Sequence, residues 1–236
     1  MFSSVVVPLD LEPHGDRALP IARRLASTAG IPLELVTVSS PAVTEEVDRF
    51  ELQRRGRAGD APWTATILHD NDPAAAIVGF VAQRPGALVV MATKARSAIG
   101  ELVLGSVSEG LLSHADGPFL LIGPNASPDG SPTGLTPVAS IDAGPRSDAT
   151  VAALAAWSAS FDGPPPQLAD LARGGRAADA LMELADRVDD AMIVVASARW
   201  TDPDRTHLRS VARRLARDAH HPVLVVPAER VTARAP

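Results

Sequence analysis

The sequence predicts an α/β protein built twice over: two consecutive domains, each a parallel sheet covered by helices on both faces. Three observations predict it. Short apolar, β-branched runs alternate with stretches of helical spacing, the pattern of strands buried on both faces. A Pro-, Gly- and Ser-rich segment, 124–135 (PNASPDGSPTGL), separates two such series and reads as a linker. The second series then repeats the first. Ala191–Ala196 (AMIVVA) answers Ala87–Ala92 (ALVVMA), Ser210-Val211 answers Ser106-Val107, and Pro222–Val226 answers Pro118–Ile122, all at one offset of 104 (191 − 87). Repeats on this scale are duplicated domains, not a solenoid. The expected boundaries are a first domain at 1–124, a linker at 125–135, a second domain at 136–228 and a tail at 229–236.

The elements follow in order. Val5–Leu9 is a strand ending at Asp10. Residues 16–29 carry Ile21, Leu25 and Ala29 at helical spacing, with Pro20 in the first turn and Gly30 as the stop. Leu33–Val38 is a second strand, Glu45–Arg55 a helix and Trp63–Leu68 a third strand. Asp72-Pro73 opens a helix with Asp as N-cap and Pro at its first position, placing Ala76, Ile77 and Phe80 on one face. Ala87–Met91 is a fully apolar strand. A loop runs to Leu104, Gly105-Ser106 starts a helix, and Pro118–Ile122 is a fifth strand.

The second copy is shorter. Asp142 after Val138–Ile141 answers Asp10 after Val5–Leu9 at an offset of 132 (142 − 10), so 28 residues (132 − 104) are missing further on. The loss falls between a first helix at about 147–160 and a weak strand at Leu168–Ala172. It corresponds to about residues 33–60, the second strand and the loop after it.

Composition excludes several functions. Apolar residues make up 46%, enough for a core in each domain. Twenty-two basic against 28 acidic residues leave a net charge of −6, which argues against non-specific nucleic-acid binding. No cysteine is present, so thiol catalysis and Cys-ligated metal are excluded. The apolar runs fall far short of the ~20 residues a membrane helix needs. Met1–Asp10 lacks a basic n-region, and a cytoplasmic protein is expected.

The loop after the fourth strand carries the most information. Residues 91–122 read MATKARSAIGELVLGSVSEGLLSHADGPFLLI. The spacing is Ala92, two residues, Ala95, nine residues, Gly105-Ser106. With the Arg96-Ser97 pair, the early Val7-Pro8-Leu9-Asp10 and Asp72-Pro73-Ala74, this resembles the universal stress protein family, whose ATP-binding members carry glycines at the first two positions. The second copy keeps the spacing as Ala196, two residues, Arg199, nine residues, Arg209-Ser210.

The resemblance implies two tandem doubly wound parallel-sheet domains, Rossmann-like and similar to adenine-nucleotide alpha hydrolases. The first is five-stranded, with order 3-2-1-4-5, and the second is shortened to four strands. It implies an adenine nucleotide, ATP or AMP, over the C-terminal ends of the first and fourth strands, where the order reverses. Asp10 then contacts the base or ribose side. Ala92, Lys94, Ala95, Arg96, Gly105 and Ser106 form the phosphate loop. That chemistry has a reason: glycine lets backbone approach a phosphate, and free N–H groups at a helix start favour an anion. Ala92 and Ala95 weaken the site if those positions need a positive φ, and Lys94 and Arg96 offset this in part by charge. No nucleotide is expected in the second copy, where Arg209 either fills the vacant phosphate site or pairs with Asp142.

Each residue also has a plainer role. Asp10 can cap or turn the chain at a strand end, Ser106 can be an ordinary N-cap, and Lys94 and Arg96 can be solvated loop charges. His220-His221 with Asp202, Asp204 and His207 lack a closed metal-ligand spacing and read as surface groups. His14 and His69 lie near strand ends and receive no chemistry. Trp63, Trp157 and Trp200 read as packing residues. No P-loop, HExxH or GxSxG motif and no nucleophile-and-base set is present, so an enzyme is not the leading expectation. That leading expectation is a binding or scaffold module acting in a stress response through a protein partner. Its two domains pack as an internal pseudo-dimer through Phe119–Ile122 and Val223–Val226, and the whole chain can pair further. The alternative is a nucleotide-dependent switch or slow ATPase using the first-domain site. An adenylating enzyme rests on fold analogy alone.

Overall fold

The computed structural model describes residues 2–39, 45–93, 107–108, 110–111, 117–127, 136–141, 155, 158–159, 163–170, 177–197 and 206–227, with backbone only at 140–141, 168–170, 196–197, 206–210 and 227. The chain divides into two compact units, Met1–Ile122 and Gly123–Pro236.

The first unit begins with β1 (Val5–Pro8), whose three valines are wholly buried. A single 3-10 turn, Gly15–Ala18, leads into α1 (Leu19–Ala29). The sequence pattern predicts one helix from residue 16. The difference is due to Pro20, which has no N–H to give the Asp16 carbonyl. The Leu19 N–H takes that carbonyl instead, closing the tighter turn. α1 buries Leu19, Ile21, Ala22, Leu25 and Ala26. It ends at Gly30, where φ is +63° and the N–H returns to the Ala26 and Ser27 carbonyls.

β2 (Leu33–Ser39), α2 (Glu45–Gly56), β3 (Trp63–His69), α3 (Pro73–Ala82), β4 (Leu88–Ala92) and β5 (Phe119–Ile122) follow. Asp72 caps α3 by accepting from the Ala74 and Ala75 amides at 3.0 and 3.1 Å. Residues 107, 108, 110 and 111 are helical. The strands are all parallel, in the order β3-β2-β1-β4-β5. β3 lies at an edge, and its side chains are half-buried or exposed, unlike the expected strand apolar on both faces.

The second unit holds β6 (Thr136–Ile141), β7 (Gln167–Asp170), α4 (Ala177–Ala185), β8 (Ala191–Ser197), α5 (Thr206–Asp218) and β9 (Val223–Pro227). Its parallel order is β9-β8-β6-β7. The register repeats residue for residue. Val5↔Leu88 becomes Pro137↔Met192, and Val89↔Phe119 becomes Ile193↔Val223. Even the left-handed corner before β4 recurs before β8, at Gly86 (φ +90°) and Asp190 (φ +52°). Aspartate is one of the few side chains that tolerate this region.

Residues 123–127 lie against the end of α5. The Asn125 amide nitrogen donates to the Arg217 carbonyl at 3.1 Å, and the Ser127 N–H donates to the His220 carbonyl at 3.2 Å. Gly123 passes so close that a Cβ there would meet the Ala216 carbonyl oxygen at 2.4 Å. Residues 128–135, the rest of the expected linker, lie outside the described residues.

Candidate functional site

In the first unit β1 stands between β2 and β4, where the strand order reverses. Chain connections leave β1 and β4 on opposite sides there, which is why open α/β sheets form a crevice at this point. The ladder between the two strands covers Val5↔Leu88 and Val6↔Val89. Beyond it each strand is drawn to its other neighbour. The Leu9 N–H donates to the Val36 carbonyl at 2.8 Å, and the buried Thr37 hydroxyl donates to the Leu9 carbonyl at 2.8 Å, tying the end of β1 to β2. The Thr93 N–H donates to the Ile122 carbonyl at 2.9 Å, with its hydroxyl at 3.5 Å, tying the end of β4 to β5.

Asp10 lies where β1 leaves the sheet, half-exposed. Its Oδ1 accepts the Glu12 N–H at 3.1 Å, a turn in which the side chain stands in for backbone. Its Oδ2 is 2.9 Å from Nε2 of His14. Gly15 packs directly on the carboxylate, since a Cβ there would meet Asp10 Oδ1 at 2.8 Å. Ala92 is the last residue of β4. The non-glycine residues with positive φ, among those described, are Leu11 and Asp190. Ala92 therefore sits in extended backbone and carries none of the strain that a required left-handed conformation would impose. The structure thus places Asp10 and Ala92 at the ends of β1 and β4, where the strand order reverses. Lys94, Ala95, Arg96, Gly105 and Ser106 lie outside the described residues, as do Asp142 and Arg199 of the second copy. Arg209 and Ser210 fall within α5, described in backbone only.

Two residues of this region are not legible from sequence. His14, which sequence pattern gives no chemistry, is the partner of Asp10. The only signal for it is a histidine four residues after the candidate ligand. Arg55, a plain helix end by sequence, is 4% exposed in its side chain. Its Nε donates to Asp16 Oδ1 at 2.5 Å, its Nη1 to Glu51 Oε2 at 2.5 Å, and its Nη2 to the Leu11 carbonyl at 2.9 Å. The Arg55 carbonyl is in turn taken by the Arg23 guanidinium. Burial works against the Arg55 charge, but the bonds to Asp16 and Glu51 outweigh it and hold its pKa above the ordinary value. Bonds from Arg54 and Arg55 hold the Glu51 carboxyl below its ordinary range. For Arg23, burial lowers the pKa despite the nearby Asp16 charge.

Two further histidines each face one carboxylate. His69 is 3.6 Å from Glu45, and His221 is 2.9 Å from Asp186. Among the described residues no three potential ligands gather around a metal position, and no helix is long and apolar enough to cross a membrane. Trp63 packs its ring against Gly56, where a Cβ would come within 2.3 Å of it.

Both the sequence and the fold have known relatives. Residues 1–123 and 128–227 each match the universal stress protein family model. A universal stress protein of Thermus aquaticus is 27% identical over 136 residues, covering 52% of this chain and 99% of that protein. A universal stress protein of Mycobacterium tuberculosis (strain ATCC 25618 / H37Rv) is 29% identical, covering 65% of this chain; the chain spans 62% of that relative's length. Among solved structures, a functionally unknown protein of Pseudomonas aeruginosa PAO1 aligns with TM-score 0.70 at 13% identity, covering 98% of this chain and 95% of that one. A universal stress protein of Archaeoglobus fulgidus DSM 4304 aligns with TM-score 0.67 at 14% identity, covering 96% and 98%. At such identities the structural likeness is one of fold, whereas the family match extends over both halves of the sequence. The chain belongs to the universal stress protein family, as a tandem member with two consecutive copies of its domain.

Proposed function

We propose that this chain is a binding module whose first unit takes an adenine nucleotide, ATP or AMP, in the crevice between the ends of β1 and β4. The observation that carries the reading is the parting of those two strands. Beyond Val6 and Val89, Leu9 is tied to β2 and Thr93 to β5, and Asp10 and Ala92 sit on the two lips. Asp10 is the ligand for the ribose or base side. Lys94, Ala95, Arg96, Gly105 and Ser106 supply the phosphate side by their motif spacing. The extended backbone at Ala92 supports the reading, because an alanine there costs the loop no strain. The second unit takes no nucleotide, and the module works through a protein partner.

The test is direct. Purified protein is denatured and the supernatant analysed for released nucleotide; the refolded or nucleotide-free protein is then titrated with ATP, ADP and AMP by calorimetry. Binding to the native chain that weakens at least tenfold in Asp10→Ala supports the reading. No released nucleotide and no binding heat at millimolar ligand removes it. A slow ATPase using the same crevice would instead give phosphate release above background that Asp10→Ala abolishes.

A further inference from the structure

We propose that Arg55 is the positioning residue of the first unit's crevice: from α2 it clips the loop after β1 into the shape that presents the Asp10 carboxylate. The geometry stands by itself, and only its consequence for affinity rests on the nucleotide reading above.

The loop from Leu11 to Asp16 folds around Asp10. One carboxylate oxygen accepts the Glu12 N–H, the other meets His14, and Gly15 packs against it at a distance no larger residue could share. One guanidinium holds both ends of that loop. Nη2 bonds the carbonyl of Leu11, the residue next to Asp10, and Nε bonds the carboxylate of Asp16. Nη1 is anchored on its own helix by the Glu51 carboxylate at 2.5 Å and the Glu51 carbonyl at 3.4 Å. Five N–H donors spread over three nitrogens of a planar fork can reach these four acceptors on three residues; the single nitrogen of a lysine cannot.

Leu11 shows why a clip is needed. Its φ is +61°, a left-handed conformation that a side-chain-bearing residue avoids unless its surroundings enforce it. Were Leu11 to relax to negative φ, its carbonyl would swing away from Arg55 and the Glu12 N–H would leave Asp10. Arg55 is buried and charged, so its bond to the Leu11 carbonyl is charge-assisted and hard to replace with water. Its backbone is steadied in turn by Arg23 on α1, which takes the Arg55 carbonyl.

The experiment compares the native chain with Arg55→Met, Arg55→Lys and the double variant Leu11→Gly/Arg55→Met. Two readouts are used: amide hydrogen exchange at Glu12 against Val36 of β2, and the affinity for ATP by calorimetry. In Arg55→Met, exchange at Glu12 rises at least tenfold while Val36 stays protected, and ATP binding weakens at least tenfold. Arg55→Lys falls between. Leu11→Gly in the Met background recovers part of the affinity, because glycine adopts positive φ without help. Should Arg55→Met fail to fold, Asp16→Ala removes one of the two loop bonds and moves both readouts in the same direction by a smaller factor. Unchanged Glu12 exchange overturns the proposal. So does an equal loss of protection at Val36, which would make Arg55 a support of the whole unit, and so does the absence of any recovery by Leu11→Gly. If the native chain binds no ATP, the nucleotide reading falls, and the exchange at Glu12 and Val36 alone decides the role of Arg55.

Discussion

Gln167 lies opposite Val138 in the second unit, in the seat that Glu34 fills opposite Val6 in the first. By sequence spacing, however, Gln167 is the counterpart of Trp63 (167 − 104 = 63) and not of Glu34. With the second strand and its following helix missing, the third strand has closed up against the central one. The hydrogen-bonding edge of β6 is thereby satisfied, at the cost of one layer of crevice wall.

The first prediction concerns stoichiometry. The second unit lacks that wall and carries Arg199 and Arg209 at the motif positions of Ala95 and Gly105. Calorimetric titration with ATP should saturate at one nucleotide per chain, and the double substitution Arg199→Gly/Arg209→Gly should not raise it to two.

A second prediction concerns the start of α3. Asp72 accepts the Ala74 and Ala75 amides there. Asp72→Ala should lower stability by about 1 kcal/mol in urea unfolding, whereas Asp72→Ser, which keeps an acceptor, should stay close to the native value.

Gly56 gives a third. A Cβ at this position would overlap the Trp63 ring at 2.3 Å, and the ring belongs to a strand that cannot move freely. Gly56→Ala should destabilise by about 1–3 kcal/mol through overpacking, although alanine is the better helix former. Gly56→Ala combined with Trp63→Leu should recover much of the loss, read by thermal unfolding.

The fourth concerns acid. Bonds from Arg54 and Arg55 depress the Glu51 carboxyl, and a bond from Arg217 depresses that of Asp218. A carboxyl lowered in the folded state binds fewer protons there than when unfolded. Its stabilisation is complete above its unfolded value, about 4, and is lost as pH falls through the folded value. Unfolding midpoints should therefore decline below about pH 4, and Glu51→Gln should make that decline shallower. Solvent and salt screen these groups, so the slope should shrink at about 1 M salt.

What the sequence determined by itself was whatever local chemistry or periodicity dictates. Apolar β-branched runs placed the strands, Asp72-Pro73 and Gly30 placed helix ends, and the offset of 132 falling to 104 along the chain pointed to the duplication and its 28-residue loss. The positions of Asp10 and Ala92 at the ends of β1 and β4 were legible, the first from the early Val7-Pro8-Leu9-Asp10 run and the second from the apolar run before the loop; their role in binding is the proposal above. Tertiary structure alone decided the rest. Nothing in the neighbours of Arg55 announces that it is buried, because its partners Leu11 and Asp16 lie some forty residues earlier in the chain. Pairing across that distance depends on where α2 lands on the sheet, not on local propensity. The same holds for β7, whose residues encode a strand but not which edge it will join. A strand's pattern fixes its faces; its neighbour is fixed by whichever free edge the chain can reach.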